Sequence, residues 1–116
     1  LALVTSEDAA TYFDTGGHDS PYMLLVADVR PEWRERLANV THSDGTARLH
    51  TVTAEAEPRF HRLLREFERL TGLPVLLNTS LNKRGMPIVE TPQQAFDFFV
   101  STPLDALMLD GCLIVK

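Results

Sequence analysis

The chain has 116 residues, of which 44% are hydrophobic and 23% are charged, so it is long enough for one compact globular domain and too short for two. Its formal net charge of −5 argues against a nucleic-acid partner, and no apolar run is long enough to cross a membrane. The single cysteine, Cys112, excludes an internal disulfide and fits a reducing cytoplasm. No Cys/His set has the spacing of a zinc site, so no metal ligands are expected.

The first half of the chain is predicted to contain short helices and strands. Ser6-Glu7-Asp8 is typical of a helix start, because a serine hydroxyl can cap free N–H groups and acidic residues favour the positive end of the helix dipole. Pro31 can occupy the first turn of a second helix. In chain order the predicted elements are a helix to about residue 13, a loop at 15–21, a buried strand at 22–29, a helix at 31–37, a turn at 41–45 and a strand at 46–53.

The second half contains the clearest helix, at residues 57–71. Its apolar residues recur with helical spacing and end at Gly72, a typical helix terminator; they are Phe60, Leu63, Leu64, Phe67 and Leu70. An apolar strand follows at 74–77. Thr91-Pro92-Gln93-Gln94 then forms a capping box that opens a helix ending near residue 101. Two short strands, 106–109 and 112–115, surround the hairpin turn signal Asp110-Gly111.

Strands that alternate with helices predict an α/β fold. We expect one small domain over residues 1–116, with a mixed sheet and flanking helices. The chain begins at Leu1 and its first methionine is Met23, so we also expect it to be a fragment from a longer polypeptide.

The polar segment 78–84 is the most informative candidate for a binding site. It follows an apolar strand, and ligands in α/β folds bind at the carboxyl ends of strands. Short polar side chains there, such as Asn78, Ser80 and Asn82, can hold a phosphate or a planar amide, and Lys83 and Arg84 can add positive charge. The alternative is an ordinary polar turn, in which Asn, Ser and Gly are common.

A second candidate runs from His42 to Arg48. Asp44-Gly45 makes a tight turn, and Arg48 emerges from the strand that follows it. Arginine is the natural bidentate partner of phosphate or carboxylate. Arg48 could equally be a surface residue paired with a nearby acid. His42 is the only histidine beside a candidate segment.

Together these segments resemble the C-terminal region of the O-carbamoyltransferases, which include nodulation-factor and antibiotic-tailoring enzymes. The resemblance rests on Pro74-Val75-Leu76-Leu77-Asn78-Thr79-Ser80-Leu81-Asn82 with Arg84-Gly85, Pro87-Ile88-Val89 and Thr91-Pro92. Asp44-Gly45-Thr46-Ala47-Arg48 also matches, as does the ending from Ser101-Thr102 to Lys116. It extends over most of the chain, with gaps at 15–19 and 53–58.

The resemblance implies a two-part transferase. An N-terminal domain with an actin-like ATPase fold and an iron site would carry the carbamoyl group to a hydroxyl. A YrdC-like C-terminal domain, of which this chain would be the last part, would make carbamoyl-adenylate from ATP, with Mg²⁺, and carbamoyl phosphate. The implied catalytic residues are Arg48 and Ser80. The implied substrate- and nucleotide-binding residues are His42, Asn78, Thr79, Asn82 and Arg84.

Two other hypotheses stay open beside this one. The chain could be a non-catalytic module that packs on the rest of a larger protein, or an unrelated ligand-binding α/β domain. The enzyme hypothesis requires Arg48, Asn78 and Ser80 to converge on a common cavity, whereas the other two do not. The upstream basic motifs of the family are absent from this chain, so we expect the isolated chain to be inactive.

Overall fold

The computed structural model describes residues 1–116 and divides them into two compact units, Leu1–Thr79 and Ser80–Lys116. The predicted α/β fold is confirmed, because a mixed sheet with flanking helices forms the first unit. The single domain over residues 1–116 and the YrdC-like assignment both stay predictions. No helix has the length and apolar character needed to span a bilayer.

Unit 1 is built on a five-stranded sheet of order β2-β3-β4-β1-β5. Its strands are Ala2–Thr5 (β1), Phe13–Asp14 (β2), Val26–Val29 (β3), Thr46–Val52 (β4) and Val75–Leu77 (β5). β1 runs parallel to β4 and antiparallel to β5, and the pairs β2–β3 and β3–β4 are antiparallel. The sequence did not predict β1 or β2.

One face of this sheet carries the main hydrophobic core. The residues of β1 and β4 that face it, such as Val4 and Leu49, are fully buried. Two short helices contribute to this core, Ala9–Tyr12 (α1) and the 3₁₀ helix Pro31–Trp33. Ala9 and Tyr12 are buried in it, and Trp33 packs against it. The ring of Tyr12 meets that of Trp33 edge to face, with centroids 4.8 Å apart.

The opposite face of the sheet is covered in part by the helix Pro58–Thr71 (α2). Leu64 is fully buried against Leu3 and Val52. The predicted apolar stripe of α2 is present, but Phe60, Leu63 and Leu70 are 43%, 51% and 72% exposed. On the sheet itself Arg48 is exposed, and His50, Leu76 and Asn78 are half-buried, so α2 covers this face only in part. We call it the open face; its residues include Leu3, Arg48, His50, Leu76 and Asn78.

Ion pairs fix α2 to the segment that follows β1. The Arg65 guanidinium binds Glu7 Oε1 at 2.7 Å and Asp8 Oδ2 at 2.6 Å, and Nε2 of His61 lies 2.5 Å from Glu7 Oε1. Desolvation alone would raise the pKa of the Glu7 carboxyl. The hydrogen bonds from His61, its own backbone and Arg65 outweigh that effect, so this pKa is lowered.

The predicted strand over 22–29 is too long. Only Val26–Val29 forms a strand, and the side chains of Tyr22 and Leu24 are 78% and 84% exposed. The cause is the buried Ser20 hydroxyl, which accepts the N–H of Leu24 at 3.1 Å and that of Leu25 at 3.0 Å and so closes a turn. The predicted helix 31–37 is likewise reduced to the 3₁₀ helix Pro31–Trp33, followed by turns.

Unit 2 consists of a polar loop, one helix and one hairpin. The helix Pro92–Val100 (α3) begins with the predicted capping box, in which Thr91 Oγ1 accepts the Gln94 N–H at 3.2 Å. The strands Ala106–Leu109 (β6) and Cys112–Val115 (β7) pair antiparallel. Asp110 and Gly111 link them with φ of 44° and 82°, the left-handed conformation that a tight hairpin turn requires.

Candidate functional site

Arg48 and Asn78 lie in one row across the open face of the unit 1 sheet. Ala2 pairs with Leu49 on β4 and with Leu77 on β5. Continuing both registers by one residue aligns Arg48, Leu1 and Asn78, and the Asn78 N–H donates to the Leu1 carbonyl at 2.9 Å. Because adjacent strands are about 4.8 Å apart, the two Cα atoms are separated by about 10 Å.

The Arg48 side chain is exposed and has no hydrogen bond or ion pair within the chain. Its strand neighbour on β3 is Val26, an apolar residue that is 53% exposed. The alternative prediction was a surface arginine paired with a nearby acid, but no acidic side chain pairs with Arg48 in this fold. The guanidinium remains free to bind an anion in the bidentate manner.

The Asn78 amide is held by two neighbours in unit 1. Its Nδ2 atom lies 3.1 Å from Nδ1 of His50 and 3.6 Å from Sδ of Met23. His50 is half-buried on β4 two residues after Arg48, and its ring packs edge to face on Phe60 at 6.5 Å. Sequence reasoning missed His50 and Met23 as members of this group. The i, i+2 spacing of Arg48 and His50 on one strand is the signal that could have found His50.

His42 belongs to a turn that satisfies its own polar groups. The Asp44 carboxylate accepts the Thr46 hydroxyl at 2.7 Å and the Thr46 N–H at 3.0 Å, which lowers its pKa. The His42 ring lies 3.2 Å from the same hydroxyl through Nδ1. Gly45 has φ of 83°, and a Cβ there would meet the Arg34 guanidinium at 3.0 Å. The turn thus fixes the start of β4, from which Arg48 projects.

In unit 2, Asn82 organises the polar loop. Its Nδ2 donates to the carbonyls of Met86 at 2.9 Å and Lys83 at 3.2 Å, so bonds from this side chain to the backbone hold the turn. The exposed Ser80 hydroxyl donates to Asn82 Oδ1 at 2.6 Å. Ser80 therefore neither caps a helix nor satisfies a buried group.

The remaining candidates are exposed and carry no hydrogen bonds through their side chains: Thr79 at the end of unit 1 and Arg84 in the loop of unit 2. A cavity of about 440 Å³ lies beside that loop, between residues 82–89 and α3. Its wall is mostly apolar, with Met86, Ile88 and Phe98 among the lining residues.

The arrangement in unit 1 offers a free cation, a fixed amide and an imidazole on one open sheet face. Such a set can bind an anion that also carries a planar polar group, because the guanidinium binds oxygens and the amide supplies directional hydrogen bonds. No three His, Cys, Asp or Glu side chains gather in a cluster that could hold a metal ion.

Comparison with known proteins finds similarity along nearly the whole chain. The family described as Carbamoyltransferase C-terminus matches residues 2–116. Nodulation protein NolO of Bradyrhizobium diazoefficiens is 38% identical over 112 residues, which cover 95% of this chain and 20% of the relative. Nodulation protein NolNO of Sinorhizobium fredii is 39% identical over 115 residues, covering 97% and 17%.

Nodulation protein U of Rhizobium tropici is 42% identical over 85 residues, which cover 73% of this chain and 15% of the relative. The chain therefore spans about a fifth of the length of the curated relatives that it matches.

Proposed function

Since this chain belongs to the carbamoyltransferase C-terminus family, as its motif from Asn78 onwards predicted, we propose that it forms part of the adenylation site of an ATP-dependent O-carbamoyltransferase. In this proposal the full-length protein binds carbamoyl phosphate and ATP, forms carbamoyl-adenylate, and transfers the carbamoyl group to a hydroxyl acceptor on its other domain.

The proposed chemistry makes a clear demand on the site. Carbamoyl phosphate reacts with water to give carbamate and inorganic phosphate. A carbamate oxygen then bonds to the α-phosphorus of ATP, and the bond from that phosphorus to the departing pyrophosphate breaks. Two anions must approach each other, so positioned cations and hydrogen-bond donors have to offset their repulsion.

The observation that carries the proposal is the unpaired Arg48 guanidinium on the same open face as the Asn78 amide. On a chain with a net charge of −5, a free arginine on the same sheet face as an ordered amide supplies the local positive charge that this chemistry needs. In this role Arg48 would bind phosphate oxygens and Asn78 would contact the carbamoyl group.

Ser80 and Asn82 are proposed to act as a pair in unit 2. Asn82 fixes the loop; in the bound state the exposed Ser80 hydroxyl would release Asn82 Oδ1 and donate its single proton to a phosphate oxygen. Thr79, Arg84 and His42 are proposed as secondary binding residues, since their side chains are exposed.

The residues of this chain do not fit a protein-held metal, because no suitable cluster exists. Mg²⁺ would enter only as the counter-ion that accompanies ATP. The iron site expected from the family would belong to the other domain.

Pyrophosphate exchange tests the proposal directly. The full-length protein should exchange labelled pyrophosphate into ATP only when carbamoyl phosphate is present. The Arg48→Ala variant should slow this exchange about 10- to 150-fold, whereas Arg59→Ala, which removes an exposed arginine from α2, should keep it. Exchange that is independent of carbamoyl phosphate would refute the adenylation step.

One observation favours a second candidate, a non-catalytic module that packs on the rest of its protein. Phe60, Leu63 and Leu70 of α2 are exposed apolar side chains on one helix, and such patches often mark interaction surfaces. Under this alternative, Arg48→Ala would leave exchange unchanged, and a charged residue at Leu63 would destabilise the full-length protein.

A further inference from the structure

We propose that His50 and Met23 lock the Asn78 amide so that its carbonyl oxygen recognises the NH₂ group of carbamoyl phosphate. The inference rests on the proposed function, because it assigns a specificity-determining contact within that site. Asn78 is the residue that touches the substrate, and His50 and Met23 are positioning residues that act through it.

The hydrogen bonds of Asn78 leave one group free. A side-chain amide has two N–H donors on Nδ2 and an acceptor oxygen, Oδ1. Nδ2 donates to the Met23 sulfur at 3.6 Å and lies 3.1 Å from Nδ1 of His50, which takes the second N–H when the ring proton is on Nε2. Oδ1 has no partner in the chain. The free hydrogen-bonding capacity of Asn78 is therefore that of an acceptor.

His50 is suited to hold this orientation. Its Nδ1 accepts from Asn78 in the tautomer whose ring proton is on Nε2. The ring is half-buried on β4, and its edge-to-face contact with Phe60 of α2 restricts its rotation. Asn78 itself is fixed through its backbone N–H, which donates to the Leu1 carbonyl at 2.9 Å.

Met23 is placed by an unusual backbone. It adopts φ of 61°, a left-handed conformation that is uncommon for a side chain of this size. The buried Ser20 sets up this turn, because its hydroxyl donates to the Leu49 carbonyl at 2.9 Å and accepts the N–H of Leu24. The turn therefore connects the Met23 sulfur to β4 through a buried hydrogen bond.

The fixed orientation has a chemical consequence. The carbamoyl NH₂ group only donates, so it pairs with Oδ1 and would face a second donor if the Asn78 amide turned over. Acetyl phosphate has a methyl group in place of the NH₂ and cannot make this hydrogen bond. The locked amide should thus select carbamoyl phosphate over acetyl phosphate, since unmatched polar groups cost binding energy.

The test measures dissociation constants of carbamoyl phosphate and acetyl phosphate by calorimetry, with the full-length protein. The wild type should bind carbamoyl phosphate about 5-fold or more tightly than acetyl phosphate, the factor expected for one neutral hydrogen bond. His50→Phe keeps the aromatic packing but removes the acceptor, so it should lose most of that preference while its affinity for acetyl phosphate stays unchanged.

His50→Gln is the matched control, because its side-chain carbonyl can accept from Asn78 and should restore the preference. Asn78→Ala should lose the preference as fully as His50→Phe, and adding His50→Phe to Asn78→Ala should cause no further loss. His50→Leu serves as the second variant if thermal melts show that His50→Phe is unfolded.

The outcomes distinguish failure of the proposed function from failure of the Asn78 inference. A wild type that binds neither phosphate would refute the proposed function and this inference with it. A wild type that binds carbamoyl phosphate without preference would overturn only the inference. If the His50 variants bound both phosphates equally more weakly, His50 would have a merely structural role, and the inference would be overturned. If the losses from His50→Phe and Asn78→Ala were additive, His50 would contact the ligand itself, and the inference would be overturned as well.

Discussion

Ser80→Ala should separate catalysis from stability in unit 2. The Ser80 hydroxyl is exposed and makes one hydrogen bond, to Asn82 Oδ1 at 2.6 Å, while Asn82 keeps both of its own bonds to the loop backbone. Removing the hydroxyl therefore leaves no buried group unsatisfied. The free energy of unfolding should fall by less than about 1 kcal/mol.

The effect on the proposed reaction should be much larger. A hydrogen bond from a hydroxyl to a charged phosphate oxygen contributes about 1.5–3 kcal/mol, so its loss should slow carbamoyl-adenylate formation roughly 10- to 150-fold. Pyrophosphate exchange and thermal melts on the same full-length variant measure both quantities.

Ser101→Ala is the control for this experiment. That hydroxyl donates to the Phe98 carbonyl at 3.1 Å near the end of α3 and is also exposed. Its removal should leave exchange within about 2-fold of wild type. A Ser80→Ala protein that is destabilised but fully active would remove Ser80 from the site.

Four further outcomes are expected. Arg48→Lys should slow exchange almost as much as Arg48→Ala, about 10- to 150-fold, because lysine keeps the charge and loses the planar fork; a wild-type rate would make Arg48 a surface charge. The isolated chain should give a cooperative unfolding transition but no pyrophosphate exchange, and measurable turnover would contradict this. In that chain Leu64→Ala should lower the free energy of unfolding in urea by about 2–5 kcal/mol, since Leu64 is fully buried, while the half-exposed Leu63→Ala should cost about 1 kcal/mol or less; equal losses would argue against the packing of α2. The lowered pKa of Glu7 stabilises the fold above its ordinary value of 4.5, and this contribution is lost as the pH falls through the folded pKa; Glu7→Gln should therefore flatten the acid side of the stability profile, and an unchanged slope would refute the ion-pair assignment.

The sequence predicted best those elements whose signals are local. The capping box at Thr91, the terminating Gly72 and the hairpin turn Asp110-Gly111 all act within a few residues, and the structure confirms each of them. The α2 periodicity also predicted the helix, but not how much of its apolar stripe would be covered. That depends on what packs on Phe60 and Leu70 rather than on spacing.

The elements that sequence reasoning missed depend on long-range contacts. β1 is buried on both faces between β4 and β5, so its residues Ala2–Thr5 show no alternation to mark them as a strand. The turn before β3 is closed by the Ser20 hydroxyl, which donates to the carbonyl of Leu49, 29 residues away. An apolar run of residues there looked like a continuous strand.

In the candidate site, too, residues with a local motif could be predicted, whereas residues placed by long-range contacts could not. Arg48 and Asn78 could be selected from their motifs, and strand register aligns them on one face. His50 and Met23 carry no motif of their own, and only the fold brings them to the Asn78 amide. Ser80 and Asn82 were selected from the same polar segment, but the hydrogen bond between their side chains was not predicted.

Calorimetric titration of carbamoyl phosphate into the full-length protein tests the central claim most directly, namely that the open face of this sheet binds the substrate. The account predicts saturable binding by the wild type and by Arg59→Ala, with affinity at least about 10-fold weaker in Arg48→Ala. Binding by Arg48→Ala that equals the wild type would contradict it.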